Sequence, residues 1–216
     1  YKVRCYWTIG GTNYYGNDSS VISVTTPPEK VTEVDTETRS STYLTLNWKK
    51  VSGASGYRIY KYNTSSKSYE KVTTISKGST VSYKITGLTA ATEYQFKVRA
   101  YKKTDTGTLW GSCSAVYKDC TKPLKTKGVK ASTKASAVTL SWQKVTGAGG
   151  YCVYRYNSAA KKYEKITVIK KDTVFSYKDS GLKKGSTVKY RVRAYKSYNG
   201  TNYYGAYSEV VSIKVK

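Results

Sequence analysis

Trp48 and Trp142 stand 94 residues apart, and the same offset carries Tyr57 to Tyr151, Gly87 to Gly181, Leu88 to Leu182 and Arg99 to Arg193. A constant offset over such a span means two copies of one structural unit. Whatever fold the chain adopts, it must adopt twice, in about 90 to 95 residues each, enough for a modest core. One stretch also occurs a third time. Tyr1-Lys-Val-Arg-Cys5-Tyr6-Trp7 runs into Thr12-Asn-Tyr14-Tyr15-Gly16, as Phe96-Lys-Val-Arg-Ala100-Tyr101 runs into Thr108-Leu-Trp110-Gly111 and Tyr190-Arg-Val-Arg-Ala194-Tyr195 into Thr201-Asn-Tyr203-Tyr204-Gly205. Each copy is an alternating apolar and basic run, a turn-forming connection and a second β-prone run, the signature of two antiparallel strands.

The periodicity elsewhere is also two. Leu44, Leu46 and Trp48 alternate with polar residues, as do Val138, Leu140 and Trp142, so each run is a half-buried strand. The first full unit reads as strands at Lys30–Val34, Tyr43–Trp48, Tyr57–Tyr62, Tyr69–Ile75 and Thr80–Ile85, followed by the recurring hairpin, and the second repeats the plan with a last strand from Tyr203 to about Val215. Seven or so short strands per unit, with turn residues between them and no helical period, predict all-β sandwiches. The predicted division is 1–25, the closing hairpin of an incomplete sandwich, then 26–121 and 122–216, with Thr25-Thr26-Pro27-Pro28 as a stiff linker.

Trp on the second strand, Gly-Tyr-x-hydrophobic-Tyr on the third and Gly-Leu followed by x-Val-x-Ala on the sixth resemble fibronectin type III modules, most nearly the Lys- and Tyr-rich versions in secreted and surface proteins of Gram-positive bacteria. Tyr94, six residues after Leu88, is similar to that family's tyrosine-corner residue; the second unit has Val188 there. The resemblance implies an extracellular, non-catalytic role as spacer, adhesive or assembly module.

Composition narrows the chemistry. Thirty-eight Lys and Arg against 13 Asp and Glu give a formal charge of +25. Such a field favours anionic partners such as a cell-wall polymer or acidic glycan, with nucleic acid bound only non-specifically; the same lysines also keep sheet edges soluble and unpaired. With no His and no Cys-x-x-Cys spacing, neither a metal site, a cofactor site nor an acid–base pair is expected. No apolar run is long enough to cross a membrane as a helix. Asn17, Asn63 and Asn199 begin Asn-x-Ser/Thr patterns, which are glycan acceptors only in a suitable host.

Four cysteines in a surface-type β array point to an oxidising compartment. With the sandwiches end to end, Cys120 leaves the first unit while Cys152 begins the third strand of the next, which predicts an interdomain disulfide if the two come within about 4.4–6.8 Å between Cα atoms. Cys113 and Cys120 are too far apart along one strand to pair. Cys5 and Cys113 are left to pair with each other, with residues beyond this chain or across chains, or to serve as small buried hydrophobes.

The candidate contact residues are Trp7, Tyr14 and Tyr15 in the partial copy, Trp110 in the first unit, and Tyr203 and Tyr204 in the second, all on the last hairpin and near Lys. They suit either an anionic ligand or packing on an adjacent module. Arg58, Tyr60, Lys97 and Arg99, with Tyr154, Arg191 and Arg193, are expected to form cross-strand ladders on the outer face. A hairpin without the rest of its sandwich exposes Val3, Val21 and Ile22. It is expected either to lean on the following unit or to complete a sheet in another copy, building a filament.

Overall fold

A computed structural model describes residues 1–216. The strands in chain order begin with a hairpin, β1 (Tyr6–Ile9) and β2 (Thr12–Tyr15). The first unit contains β3 (Asp35–Arg39), β4 (Leu44–Asn47), β5 (Gly56–Asn63), β6 (Ser68–Ile75), β7 (Ser82–Ile85), β8 (Glu93–Thr104), β9 (Gly107–Cys113) and β10 (Tyr117–Cys120). The second contains β11 (Lys130–Lys134), β12 (Ala137–Ser141), β13 (Gly150–Asn157), β14 (Lys162–Ile169), β15 (Ser176–Asp179), β16 (Thr187–Tyr198), β17 (Thr201–Tyr204) and β18 (Val211–Lys214). Each unit pairs a three-stranded antiparallel sheet, β3-β4-β7 or β11-β12-β15, with a five-stranded one, in which β6-β5-β8 is extended by β9 and β10, and β14-β13-β16 by β17 and β18.

Alternation puts the apolar side chains between the sheets. Leu44, Leu46 and Trp48 face Tyr57, Ile59, Phe96, Val98 and Ala100; Val138, Leu140 and Trp142 face Tyr151, Val153, Tyr190, Val192 and Ala194. Burying each large side chain is worth about 1.5–3 kcal/mol, so these clusters hold the sheets together. Both third strands carry a bulge at the same place, between Ile59 and Tyr60 and between Val153 and Tyr154. Gly56 and Gly150 open these strands because a Cβ there would lie 2.0 Å from the Ile75 carbonyl oxygen or 2.1 Å from that of Ile169.

Two predicted strands are redrawn. The first begins at Asp35 rather than Lys30, because Glu33 adopts a φ of 55° and breaks the extended run, although Val31 before it is buried in the core. The last is broken in two, in both units, by one serine. The Ser114 hydroxyl accepts the Val98 N–H at 3.0 Å and donates to the Ala115 carbonyl, taking a main-chain carbonyl's place in the ladder. Ser208 does the same with Val192 at 2.9 Å and Glu209. Ser19 repeats it with Val3 at 3.1 Å and Ser20. The N-terminal hairpin thus has the local geometry of the closing strands of a complete sandwich, and main-chain bonds from Gly16 to Cys5 and from Ile22 to Tyr1 prolong it beyond β1 and β2.

That hairpin does not lean on the first unit. Every residue from 1 to 27 is exposed, with Val3 at 73% and Trp7 at 72%. The tyrosine corner forms where the sequence places it: the Tyr94 hydroxyl accepts the Thr89 N–H at 2.7 Å. The second unit, with Val188 in that position, instead buries Tyr190, whose hydroxyl donates to Asp179 at 2.7 Å beside Arg155. No helix is long and apolar enough to cross a membrane.

Since the Val192 N–H is buried and its acceptor is a hydroxyl, Ser208→Ala strands a main-chain donor. We expect a loss of about 1–3 kcal/mol in urea unfolding. A change of only a few tenths would mean that the N–H finds another acceptor.

Candidate functional site

Two surfaces gather charged and aromatic side chains: the outer face of each five-stranded sheet, and the junction between the units. On β16 the pleat sends Tyr190, Val192 and Ala194 inward and Lys189, Arg191 and Arg193 outward. The outward guanidiniums interleave with tyrosines. Arg193 lies 3.9 Å from the Tyr204 ring centre and 4.5 Å from that of Tyr207; Arg191 lies 3.6 Å from Tyr207 and 4.3 Å from Tyr163. Tyr204, Arg193, Tyr207, Arg191 and Tyr163 therefore form a continuous stack. Arg193 also donates from Nε and Nη2 to the Tyr154 hydroxyl, at 3.0 and 2.6 Å. Burial pushes the Tyr154 phenol up to about 12, against the pull of Arg193.

The first unit builds a shorter version. Arg58 and Arg99 lie 4.2 and 5.3 Å from the Trp110 ring centre, Lys97 lies 4.2 Å from that of Tyr69, and Tyr101 packs on Trp110 at 5.0 Å. Cys113 occupies the position that Tyr207 holds in the second unit, while Cys152 stands where the first unit has Arg58. The stack is complete only in the second unit because the ring between its two cations has become a thiol in the first. The expected ladders are present, with Tyr207 and Tyr163 as members that sequence reasoning missed; their spacing from Tyr204 and Tyr154 was the available signal.

At the junction, Arg39 of the first unit covers the Tyr203 ring at 3.9 Å, and Glu93 meets Lys196 at 3.6 Å. The backbones approach closely as well: a Cβ on Gly147 would lie 2.9 Å from that of Ala91. Arg39 is fixed from behind by the buried Asp119, which also receives the Tyr117 hydroxyl at 3.2 Å. Neither the Arg39–Asp119 pair nor the Arg155–Asp179 pair was legible in sequence, since each joins strands of different sheets.

The candidate aromatics thus divide. Trp110 and Tyr204 pack against arginines of their own units, and Tyr203 packs across the junction. Tyr15 sits under Arg4 at 4.1 Å. Trp7 and Tyr14, cross-strand partners, are exposed. Trp7 and Tyr14 are the positional counterparts of Lys196 and Tyr203, the pair that grips the first unit.

The interdomain disulfide expected between Cys120 and Cys152 does not form in this structure, in which all four cysteines are free thiols. Cys152 lies between Arg193 and Val168 in the sheet, packed with Tyr154 and Tyr195. Cys120 lies at the junction, where burial and the Asp119 charge raise its thiol to about 11, against Arg39 and Lys196. Burial also raises the Cys152 thiol. Cys113 pairs in register with Arg99 and Cys120 with Glu93, on two separate strands rather than one. Cys5 is exposed, with its sulfur over Gly16 of its own hairpin, so it is not paired with Cys113.

Catalytic groups do not converge. No group of three or more His, Cys, Asp or Glu could hold a metal ion. A 380 Å³ cleft holds Glu70 and Glu93, but Asn63 and Ser66 donate to Glu70 and Lys196 pairs with Glu93.

Two β-sandwiches in series, each of a three- and a five-stranded sheet closed by the same serine-broken last strand, give the chain a fibronectin type III-like fold. Residues 26–110 match the family model for the fibronectin type III domain. The chain is 27% identical over 189 residues to Exoglucanase B of Cellulomonas fimi, a match that takes in 82% of this chain and only 16% of that protein. Among solved structures, a two-domain fibronectin type III segment of chicken tenascin aligns with a TM-score of 0.51 at 19% identity, over 88% of this chain and 99% of that one, a likeness of fold.

The free thiols give a direct check. In the native chain at pH 8 we expect rapid alkylation of Cys5 and slow alkylation of Cys120 and Cys152, with all four reacting without reductant once the chain unfolds. Resistance of Cys120 and Cys152 under denaturing, non-reducing conditions would restore the disulfide.

Proposed function

We propose that this chain is a non-catalytic segment of a longer, secreted or surface-exposed bacterial protein, serving as a spacer that holds its neighbours at a set orientation. The observation that carries this reading is the junction. Arg39 on Tyr203, Glu93 with Lys196 and the close approach of Gly147 to Ala91 tie the two sandwiches together at three points. A flexible tether needs none of these contacts. The likeness to part of Exoglucanase B supports an accessory place beside a carbohydrate-active enzyme. The aromatics that suit a sugar-stacking surface in the complete units are already packed against arginines, which favours a spacer over a neutral-glycan binder.

Assembly between copies is the second reading. It rests on the hairpin, whose Val3, Val21, Ile22 and Val24 are each more than half exposed. Strand addition from another chain would cover them. Sedimentation over a wide concentration range tests this: a strict monomer removes the assembly reading and leaves the spacer reading standing.

For the spacer, Tyr203→Ala removes a cation–π contact of roughly 0.5–2 kcal/mol. Small-angle scattering should show a broader distribution of interdomain distances, while the circular dichroism of both sandwiches is unchanged. An identical scattering profile would mean that the junction does not set the orientation.

A further inference from the structure

The stack on the second unit has an electrostatic property that stiffening a sheet does not require: it is not neutralised. Arg191 and Arg193 belong to none of the chain's ion pairs. The four carboxylates of the unit are all elsewhere. Glu164 binds Asn157, Asp179 binds Arg155 and Tyr190, Glu209 binds Lys125, and Asp172 lies near Tyr151. Lys165 is the register partner of Tyr154, and Lys189 is two residues before Arg191 on the same outward side; both are exposed.

The way the guanidiniums are held decides what they can bind. A guanidinium offers two flat faces and an edge carrying five N–H donors. Here the faces are against rings: Arg191 between Tyr207 and Tyr163, Arg193 between Tyr204 and Tyr207. Arg193 gives only Nε and Nη2 to Tyr154, and the Nε of Arg191 is buried without an acceptor, so each arginine still has terminal N–H groups with no partner in the protein. Because each cation is fixed by its neighbours, little side-chain freedom remains to be lost when an anion arrives. The ring faces that meet a guanidinium, for the same reason, are unavailable to a sugar or a base.

We propose that the outer face of the β14-β13-β16 sheet is a binding site for the oxyanions of a linear anionic polysaccharide or polyol phosphate, with Arg191 and Arg193 as its donors and Lys165 and Lys189 as flanking charges. Arg191 and Arg193, two residues apart on one strand, stand about 6.8 Å from each other and engage successive anionic groups along an extended chain. The shared chemistry is the oxyanion, carboxylate or phosphate. A nucleic acid would meet the donors for its phosphates, while the ring faces taken by the guanidiniums are closed to its bases. This site goes beyond the spacer reading, and either can fail alone.

The test uses the whole chain with labelled polyphosphate, polygalacturonate, single-stranded DNA and, as a neutral probe, cellohexaose, by fluorescence anisotropy across a salt series. Arg191→Lys/Arg193→Lys keeps the formal charge of +25 but removes the planar donor edges, so a site predicts that polyphosphate or polygalacturonate binding falls by about tenfold or more. Whichever of these two polymers responds identifies the oxyanion. Lys165→Gln/Lys189→Gln, which lowers the charge by two, should weaken binding less than the charge-neutral arginine variant. Unchanged affinity in the arginine variant overturns the proposal, because the net field alone then accounts for binding. Binding of DNA at least as tight as that of the other polyanions, or of cellohexaose alone, also overturns it. Thermal melts accompany each variant; should the double variant be unfolded at the assay temperature, Arg191→Lys alone, whose Nε makes no bond in the native chain, is used with the same criteria.

Discussion

Each sandwich is held shut by a tyrosine wedged beneath a tryptophan. Trp48 and Tyr57 meet at 5.3 Å between ring centres, Trp142 and Tyr151 at 5.4 Å. Both tyrosine rings are fully buried, and each hydroxyl accepts one main-chain N–H, from Val51 or Val145, at 2.9 Å. The ring supplies apolar area and the hydroxyl satisfies a turn that would otherwise strand a buried donor. With the rest of each core cluster, that contact holds the two sheets against each other, while the pleat directs the outward residues of the five-stranded sheet. Were the wedge lost, neither the arginine stack nor the junction would have a rigid base.

The charge on this chain is unevenly handled, and the unevenness carries the functional reading. Inside, each unit buries one aspartate with an arginine and a tyrosine: Asp119 with Arg39 and Tyr117, Asp179 with Arg155 and Tyr190. A pair of this kind adds little net stability, and removing one member costs most where both are buried, as in Arg39–Asp119, so it specifies how the strands meet more than how firmly. The two tyrosines are pushed well above the usual phenol range, Tyr117 by burial, with the charges of Asp119 and Asp35 adding to it, and Tyr190 by burial and its bond to Asp179. Both stay neutral donors, and their share of stability fades only as alkaline pH ionises tyrosine in the unfolded chain. Outside, the arginines have rings in place of carboxylates. Cation–π stacking restrains a charge without cancelling it, whereas an ion pair does both.

The two units also show how one framework carries different surfaces. Gly56 and Gly150, the bulges after Ile59 and Val153, and Ser114 and Ser208 correspond position by position. The units differ in the core, as at Phe96 and Tyr190 or Ile59 and Val153, and also on the outer face and at the ends. Thr133 stands in the second unit where Arg39 stands in the first, and Thr187 where Glu93 stands. The grip between these two units therefore belongs to this junction rather than to every junction in such an array.

The alternation of Leu44, Leu46 and Trp48, the 94-residue offset and the thrice-repeated hairpin were enough to determine the all-β class, the doubling of the unit and which side chains enter the core. These follow from a period of two, which the chain carries locally. The serine break in the last strand was recorded three times in the sequence at matching positions, yet its meaning appears only when the hydroxyl is seen accepting an N–H from the strand beside it. The cysteines went the other way: Cys120 and Cys152 looked paired along the chain, but sheet register turns one toward the junction and the other onto the face beside Tyr154. Sequence fixes which face of a strand a residue occupies; which residues from other strands and units share that face depends on register and on how the sandwiches meet, and only tertiary structure decides those.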